Sequence, residues 1–319
     1  HCSYAQTEPN LDFGTESAIK GIPNLGNTCH LGAVIQALIP AWNHKGTHQH
    51  LPRELQLVVH HALGKEAGLT ERIEAMEYLV EYLRQNPNTA ALYPEEGEQE
   101  GLHQTYMTLM EGINHPEANM STITRASTMI CGGRTCSPSR TYQTHNHLLL
   151  DLPDEDAVIP LAQLIQHTDK DISLNANTRC NACGHKGHQK QTWTTHPTGN
   201  AVVIHTIPRS RPNGRGLAKV SMNPPIEGLK IGDSPHEYTL QSVVGFTGDI
   251  SGGHFFTISR RKGEYYLLND SKATKLTNPT QNIHELKHVV MLVYMRRQRG
   301  RKENEKKRKS VGEEEHPAE

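Results

Sequence analysis

Two pairs of cysteines constrain the fold of this chain more than any other feature of its sequence. Cys131 and Cys136 lie in the stretch CGGRTC, and Cys180 and Cys183 lie in CNAC. Each pair sits in a turn containing glycine or asparagine, which lets two thiolates close around one tetrahedral ion. Because the pairs are far apart in sequence, two separate hairpins must meet. We predict one structural zinc ion, and a pair of redox or buried thiols is the alternative interpretation.

The length and charge of the chain exclude several classes of protein. With 319 residues it is longer than most disulfide-stapled secreted domains, so close cysteine pairs favour a metal in a reducing compartment. His185 and His188 are reserve ligands. The formal net charge of -1 and an aromatic content of 5% argue against a nucleic-acid partner. No apolar stretch approaches the ~18 residues that span a bilayer. We expect a monomer without nucleic-acid or membrane partners.

The two ends of the sequence differ in composition from its middle. The chain starts at His1 rather than Met, which we interpret as a fragment or a product cut from a longer polyprotein. Residues 1–20 are polar and lack periodicity, so we expect a flexible lead-in. Residues 298–319 are a charge run that predicts a disordered tail. The sequence KKRK at 306–309 resembles a nuclear import signal, and we expect a cytoplasmic and/or nuclear location.

Helical patterns come first and strand patterns later, which predicts an α+β fold. The stretch GIPNLGNTCHLGAVIQAL, residues 21–38, places Cys29 at the start of an apolar helix. Further helices are predicted over 71–84, capped by Thr70, and over 101–113. Short apolar runs punctuated by Gly, Pro, Asn and Asp predict the strands. These runs cover 147–153, 201–208, 238–246, 254–260, 264–270 and 289–295.

Cys29 has three possible roles: core residue, metal ligand or nucleophile. If the four paired cysteines bind zinc, Cys29 is not needed as a metal ligand. A helix N-terminus favours the thiolate form of a cysteine. A nucleophilic cysteine also needs a histidine base and a group that orients this base.

His254 is the candidate base because of its context. It follows GDISGG, and Gly252 and Gly253 allow a backbone to approach closely beside it. A turn at 262–263 predicts a hairpin that returns Asn269 to the side of His254. An asparagine oxygen can accept from the imidazole N–H and fix its tautomer.

These residues resemble the ubiquitin-specific protease family of deubiquitinating enzymes. The stretch at 21–38 is similar to the cysteine box of that family, and YTLQSVVGFTGDISGGHFF at 238–256 is similar to its histidine box. EYYLLND resembles the segment that supplies the third catalytic residue, and VVMLVYMRR resembles the closing strand. The cysteine pairs fall where the family carries its zinc knuckles. The resemblance covers 21–297.

The resemblance implies a papain-like cysteine protease fold with three subdomains. The thumb would span about 21–118, the zinc-binding fingers about 125–200, and the palm the remainder. The implied activity is thiol-dependent hydrolysis of the (iso)peptide bond at the C-terminal glycine of ubiquitin. A catalytically weak ubiquitin-binding scaffold and a protease for another ubiquitin-like modifier are the alternatives.

The resemblance also implies a role for each candidate site residue. Cys29 would attack the carbonyl carbon, and His254 would be the base and then the acid for the leaving amine. Asn269 would orient His254, and Asp270 would assist at the neighbouring position. Asn24 would donate its side-chain amide to the oxyanion together with the backbone N–H of Cys29, an interaction worth ~3 kcal/mol in a transition state.

The chain departs from the family pattern near the expected binding site for the ubiquitin tail. Gly252 and Gly253 would accommodate the narrow Gly-Gly tail of ubiquitin. His30 replaces the usual aromatic residue after the cysteine, and Phe246 stands where the family often has histidine. Gly101 stands in the helix where the family uses an acidic residue to hold that tail.

Overall fold

The structure, a computed structural model, describes most of the chain between residues 13 and 297. The described residues are 13–16, 19–63, 67–90, 101–113, 115, 120–132, 136–169, 172–174, 179–180, 183–187, 189–214, 216–249 and 252–297.

Helix α1, Cys29–Trp42, lies at the centre of the molecule. Every residue of it except Pro40 is buried, because apolar side chains occur on all of its faces rather than on one stripe. The other helices are α2 Arg53–Ala62, α3 Leu69–Gln85, α4 Leu102–Ile113, α5 Leu161–Thr168 and α6 Pro279–His284, with a 3₁₀ helix over His44–His50.

An eight-stranded sheet, called here the large sheet, packs against α1. Its strands are β1 Phe13–Glu16, β4 Leu148–Asp151, β8 Ala201–Ile207, β10 Tyr238–Asp249, β11 Gly252–Arg261, β12 Glu264–Asn269, β13 Lys272–Leu276 and β14 Val289–Arg296. The spatial order is β1-β13-β12-β11-β10-β14-β8-β4. Neighbouring strands are antiparallel except for one parallel pair, β4 with β8.

A second sheet of four strands, called here the small sheet, carries the paired cysteines. Its order is β3-β2-β7-β6, so the exposed strand β3 forms one edge. Its strands are β2 Ile123–Cys131, β3 Ser139–His145, β6 Ile172–Leu174 and β7 Gln189–Pro197. A short parallel pair, β5 Ala157–Val158 with β9 Val220–Ser221, completes the strands of the described residues.

Two apolar cores lie on opposite faces of the large sheet. One core joins α1 and the helices α2 to α4 to side chains of β8, β10, β11 and β14. The other joins α5 and α6 to the remaining apolar side chains of the same strands. Strand β11 has buried residues in both cores, and in the first core it packs against α1. This packing of α1 on β11 fixes the two elements relative to each other and so positions the candidate site.

The structure confirms the predicted α+β class and the predicted strands. Two local predictions are wrong. Thr70 does not cap α3, because the helix begins earlier and Gly68 occupies the N-cap position. The expected flexible lead-in is wrong for Phe13–Glu16, which pair with β13 as the edge strand of the large sheet.

Other predictions fall outside what the structure tests. Residues 298–319, including KKRK, lie outside the described residues. The division into thumb, fingers and palm stays a prediction, although β4, within the range predicted as fingers, belongs to the large sheet. In the described part of the chain, no helix has both the length and the apolar character that crossing a membrane requires.

Candidate active site and cysteine cluster

The turn before α1 delivers Cys29 to the first position of the helix. Gly26 takes a left-handed φ of 109°, which favours glycine. The Leu25 N–H donates to Thr28 Oγ1 at 2.8 Å, and the Thr28 N–H donates to Asn24 Oδ1 at 3.1 Å. Cys29 is only 3% exposed. The predicted position of Cys29 at a helix N-terminus is confirmed, and the turn holds the side-chain oxygen of Asn24.

The β11–β12 hairpin brings His254 and Asn269 together, as the sequence predicted. Lys262 and Gly263 both have positive φ, 51° and 89°, the conformation of a tight two-residue hairpin turn. The His254 Nε2 and Asn269 Oδ1 atoms are 2.6 Å apart. Because an amide oxygen can only accept, Nε2 carries the proton in the neutral ring. The lone pair of Nδ1 is then available to take a proton.

Asp270 lies beside both His254 and Asn24. Its Oδ1 is 3.9 Å from His254 Nε2, and its Oδ2 accepts from Asn24 Nδ2 at 3.4 Å. Burial raises the pKa of Asp270, while His254 and the Asn24 hydrogen bond act in the opposite direction. Asp270 also lines the same small cleft as Cys29 and Phe255. Of the five predicted catalytic residues, Cys29 and Asp270 line this cleft. Asn24 and His254 both contact Asp270, and Asn269 contacts His254.

Packing within the protein is a second reason for glycine at the two positions that we predicted to bind the ubiquitin tail. A Cβ on Gly253 would overlap the Phe246 ring and the Thr247 carbonyl oxygen, so glycine is required there by the protein itself. The Phe246 ring also lies 4.9 Å from that of Phe255, centroid to centroid. Gly252 has a φ of 143°. A direct role of these glycines in binding ubiquitin stays a prediction.

The four paired cysteines meet at the end of the small sheet. Their sulfur atoms all lie within 4.8 Å of one another. Cys131 and Cys183 sulfurs are 3.6 Å apart, and those of Cys136 and Cys180 are 3.5 Å apart. A tetrahedral zinc ion with Zn–S bonds of ~2.3 Å separates its sulfurs by ~3.8 Å. The four residues therefore fit a metal ion.

The close approach of the four sulfurs also favours a bound cation, because it opposes the loss of a thiol proton when no cation is present. Hydrogen bonding with Cys180 first, and then with Cys183, raises the pKa of the Cys136 thiol to about 12. Thiolates so close together need a positive ion between them. His185, a predicted reserve ligand, is not part of the four-sulfur group, and His188 lies outside the described residues.

Two residues of the site were not predicted. Thr28 links the Leu25 N–H to Asn24, and Phe255 lines the cleft next to Cys29. The alternation of β11 could have indicated that Phe255 and His254 face opposite sides of the sheet. The hydrogen bond between Thr28 and Asn24 has only a weak signature in the sequence, namely two polar residues four positions apart across a turn.

Comparison with solved structures shows which fold this is. The SAGA DUB module of Ubp8, Sgf11, Sus1 and Sgf73 bound to monoubiquitin matches with a TM-score of 0.72 and 18% identity, over 91% of this chain and 72% of that chain. The module bound to ubiquitin aldehyde matches with a TM-score of 0.71 and 18% identity, over 92% and 72%. The yeast module with altered Sgf73 gives a TM-score of 0.61 and 16% identity, over 93% and 73%. The predicted papain-like fold is confirmed.

Comparison with known families identifies the chain more directly. No curated protein matches the sequence. Residues 94–294, which include His254, Asn269, Asp270 and the paired cysteines, match the family described as ubiquitin carboxyl-terminal hydrolase. The match spans more than half of the chain, and it confirms the resemblance found in the sequence. The chain belongs to the ubiquitin carboxyl-terminal hydrolase family.

Proposed function

We propose that this chain is a cysteine-type deubiquitinase in which Cys29 is the nucleophile and His254 the base. The observation that supports this most is the 2.6 Å contact between His254 Nε2 and Asn269 Oδ1. It leaves the Nδ1 lone pair available on a histidine that lies 3.9 Å from Asp270, and Asp270 lines the same cleft as Cys29. Cysteine, histidine and an orienting amide are the three parts that a papain-like nucleophile needs.

The reaction follows from these roles. His254 Nδ1 takes the thiol proton, and the Cys29 sulfur bonds to the carbonyl carbon of the C-terminal glycine of ubiquitin. The tetrahedral intermediate collapses with cleavage of the C–N bond, and the leaving amine takes the proton from His254. Water then loses a proton to His254 and attacks the thioester, which releases the ubiquitin carboxylate and restores the Cys29 thiol.

Asn24 is the proposed side-chain donor to the oxyanion. Its Oδ1 is held by the Thr28 N–H, so its Nδ2 is directed away from that turn. One N–H of Nδ2 points to Asp270 Oδ2, and the other is available to the substrate oxygen. The Cys29 backbone N–H, at the start of α1, is the second donor.

We assign zinc to the four-sulfur cluster and a structural role to that zinc. A closed set of four cysteine ligands leaves no open position for a substrate, which is typical of structural sites. The ion would join the end of β2 to the CNAC turn near β7 and so stabilise the tip of the small sheet.

Ubiquitin is the proposed substrate, because solved structures with this fold bind monoubiquitin and ubiquitin aldehyde. We further propose that the chain acts as a monomer in the cytoplasm and/or nucleus, and that residues 21–297 form the catalytic domain.

A ubiquitin with an electrophile at its C-terminus tests the proposed nucleophile. We expect the zinc-loaded protein to form a covalent adduct at Cys29, located by mass spectrometry of peptides, and the Cys29→Ser variant to form none. Binding without an adduct would favour the scaffold alternative. An adduct with another modifier but not with ubiquitin would favour the second alternative.

The metal content tests the zinc assignment separately. We expect one zinc ion per chain by elemental analysis and clearly less in Cys180→Ser. Cys29→Ser is the matched control, since it removes a cysteine outside the cluster, and it should keep its zinc. A full zinc content in Cys180→Ser would contradict the assignment.

A further inference from the structure

The segment before the catalytic turn packs directly against the turn that follows Asn269. A Cβ on Gly21 would overlap the carbonyl oxygen of Asp270, and it would also approach Ser271 and Lys272 too closely. Only a glycine therefore allows the two chain segments to lie this close. We call this contact between Gly21 and 270–272 the catalytic joint.

The catalytic joint contains a strained backbone. Asp270 has a φ of 48°, in the left-handed region that residues other than glycine rarely adopt. Such a conformation is unfavourable for a residue with a side chain and persists only where the surroundings hold it. The contact between Asn24 and Asp270, at 3.4 Å, is long for a hydrogen bond. Another interaction must therefore hold the two segments together.

Arg72, in the first turn of α3, supplies that interaction. Its Nη1 donates to the Gly21 carbonyl at 2.6 Å and to the Ser271 carbonyl at 3.2 Å. Its Nε donates to the Gly68 carbonyl at 3.2 Å, which fixes the guanidinium to the start of its own helix. Burial lowers the pKa of Arg72 below its usual value. One nitrogen thus bridges both sides of the catalytic joint.

We propose that Arg72 is a positioning residue for the active site, an inference that rests on the proposed function. Gly21 lies three residues before the oxyanion donor Asn24, and Ser271 follows Asn269 and Asp270. By joining the two carbonyls, Arg72 sets the position of the oxyanion donor relative to the residues that orient His254. Arg72 itself does not touch the substrate.

The amplitude of the effect follows from the geometry that the reaction needs. A misplacement of ~1 Å at a catalytic group costs about 10²-fold in rate. Without Arg72, the contact of Asn24 with Asp270 is free to open, and the turn that carries Asp270 beside His254 loses an anchor. Loss of the imidazole orientation would also weaken the proton transfer from Cys29, which moves the pH dependence of thiol reactivity.

Four variants test the proposal. Arg72→Met removes the donors and keeps much of the side-chain length, and Arg72→Lys keeps a cation that can reach a carbonyl. Gly21→Ala disturbs the same joint from the other side. Arg260→Met is the matched control, because Arg260 also donates to a backbone carbonyl, that of Gly263 at 3.3 Å, but at the distant end of β11.

Two measurements are made on each variant. The first is kcat and KM on ubiquitin with a fluorogenic C-terminal amide, and the second is the rate of Cys29 alkylation by iodoacetamide against pH. For Arg72→Met and Gly21→Ala we expect kcat to fall about 10- to 100-fold with KM within about twofold. The midpoint of alkylation should move to higher pH. Arg72→Lys should recover part of both effects, and Arg260→Met should match the parent protein.

The outcomes separate this proposal from the proposed function. A reactive Cys29 in the parent protein with an unchanged profile in Arg72→Met would overturn the positioning role, even if that variant melts at a lower temperature. If Arg72→Met does not fold, unchanged profiles in both Arg72→Lys and Gly21→Ala would overturn it. An unreactive Cys29 in the parent protein would overturn the proposed function instead.

Discussion

The candidate catalytic group and the four-cysteine cluster are assembled by different forces. The candidate catalytic residues lie where the buried helix α1 meets the large sheet, and two apolar cores hold those elements in place. The cysteine cluster lies at the tip of the small sheet, whose edge strand β3 is exposed along nearly its whole length. Packing thus fixes the first group, while the second, with the zinc that we propose, depends on an ion that joins its sulfurs.

The largest expected effect is that of metal removal, and it should be confined to the small sheet. Apparent binding energies of structural zinc reach roughly 10 kcal/mol or more. Treatment with a strong chelator should therefore abolish much of the hydrogen-exchange protection of β2 and β7. We expect β10, β11 and β14 to keep theirs. Exchange measured by mass spectrometry checks this.

An equal loss of protection in both sheets would show that the two regions unfold as one unit. Cys180→Ser offers the same comparison without a chelator, and Cys29→Ser is its control. An unchanged small sheet in Cys180→Ser would mean that its hydrogen bonds suffice without the ion.

The second prediction concerns Asn269 and affects rate rather than stability. In Asn269→Ala the His254 ring loses its acceptor, so the wrong tautomer and orientation become populated. We expect kcat to fall about 10²-fold, while the free energy of unfolding changes by less than ~1 kcal/mol. Asn269→Asp keeps an acceptor oxygen and should lose less than about 10-fold. Equal losses in the two variants would contradict the orienting role.

The residues that sequence reasoning found are those with local signals. The Gly-Asn-Thr turn before an apolar run located the start of α1, and the turn at 262–263 with its flanking strands brought Asn269 to His254. The knuckle spacing of the cysteines required two hairpins to meet, and they do. Each turn pattern and each single cysteine pair extends over fewer than about 20 residues, so its local geometry follows from turn and strand rules.

The interactions that the sequence did not reveal join distant segments. Arg72 meets the Ser271 carbonyl across 199 positions, and Asn24 meets Asp270 across 246. Neither contact has a periodicity or a motif. The first uses a backbone carbonyl, which is an acceptor at every residue, and the second joins two side chains at opposite ends of the domain sequence. Strand β1 was missed for a related reason, since four residues at a sheet edge are too few to show alternation.

The third prediction is that acid destabilises the large-sheet region before the small sheet. Burial lowers the pKa of His30 and of His147 to about 4, and it also lowers those of His103 and His205. These histidines are neutral when folded but bind protons near pH 6.5 when unfolded. The unfolded state therefore gains protons first, and stability falls as pH decreases from 6.5 towards 4.

His30, which is almost fully buried, allows a direct test. Its contribution to the loss between pH 6.5 and 5 should be about 2 kcal/mol. His30→Phe, which restores an aromatic residue after the cysteine, should flatten the pH dependence of the unfolding free energy by that amount. His167→Phe, at an exposed histidine of α5, is the control. An unchanged slope in His30→Phe would show that His30 is not the group that titrates.

The smallest effect concerns the tie between α1 and β11. Pro40 has no N–H, so the Gln36 carbonyl, four residues earlier in α1, lacks its helical donor. The buried Arg261 supplies one instead, since its Nη2 donates to this carbonyl at 2.6 Å. The guanidinium thereby connects the helix that starts at Cys29 to the strand that starts beside His254.

A double-mutant cycle tests whether the Arg261 side chain replaces the backbone N–H that Pro40 lacks. Arg261→Met leaves the Gln36 carbonyl buried without a donor, whereas in Pro40→Ala the new backbone N–H can serve it. We therefore expect Arg261→Met to cost ~1 kcal/mol less in the Pro40→Ala background than in the parent protein. Denaturant unfolding of the four proteins gives the coupling energy. Strict additivity would mean that Arg261 does not replace the missing helical donor, and that the apolar core and the Thr257 hydroxyl, which donates to the Ala33 carbonyl at 3.0 Å, hold α1 on β11.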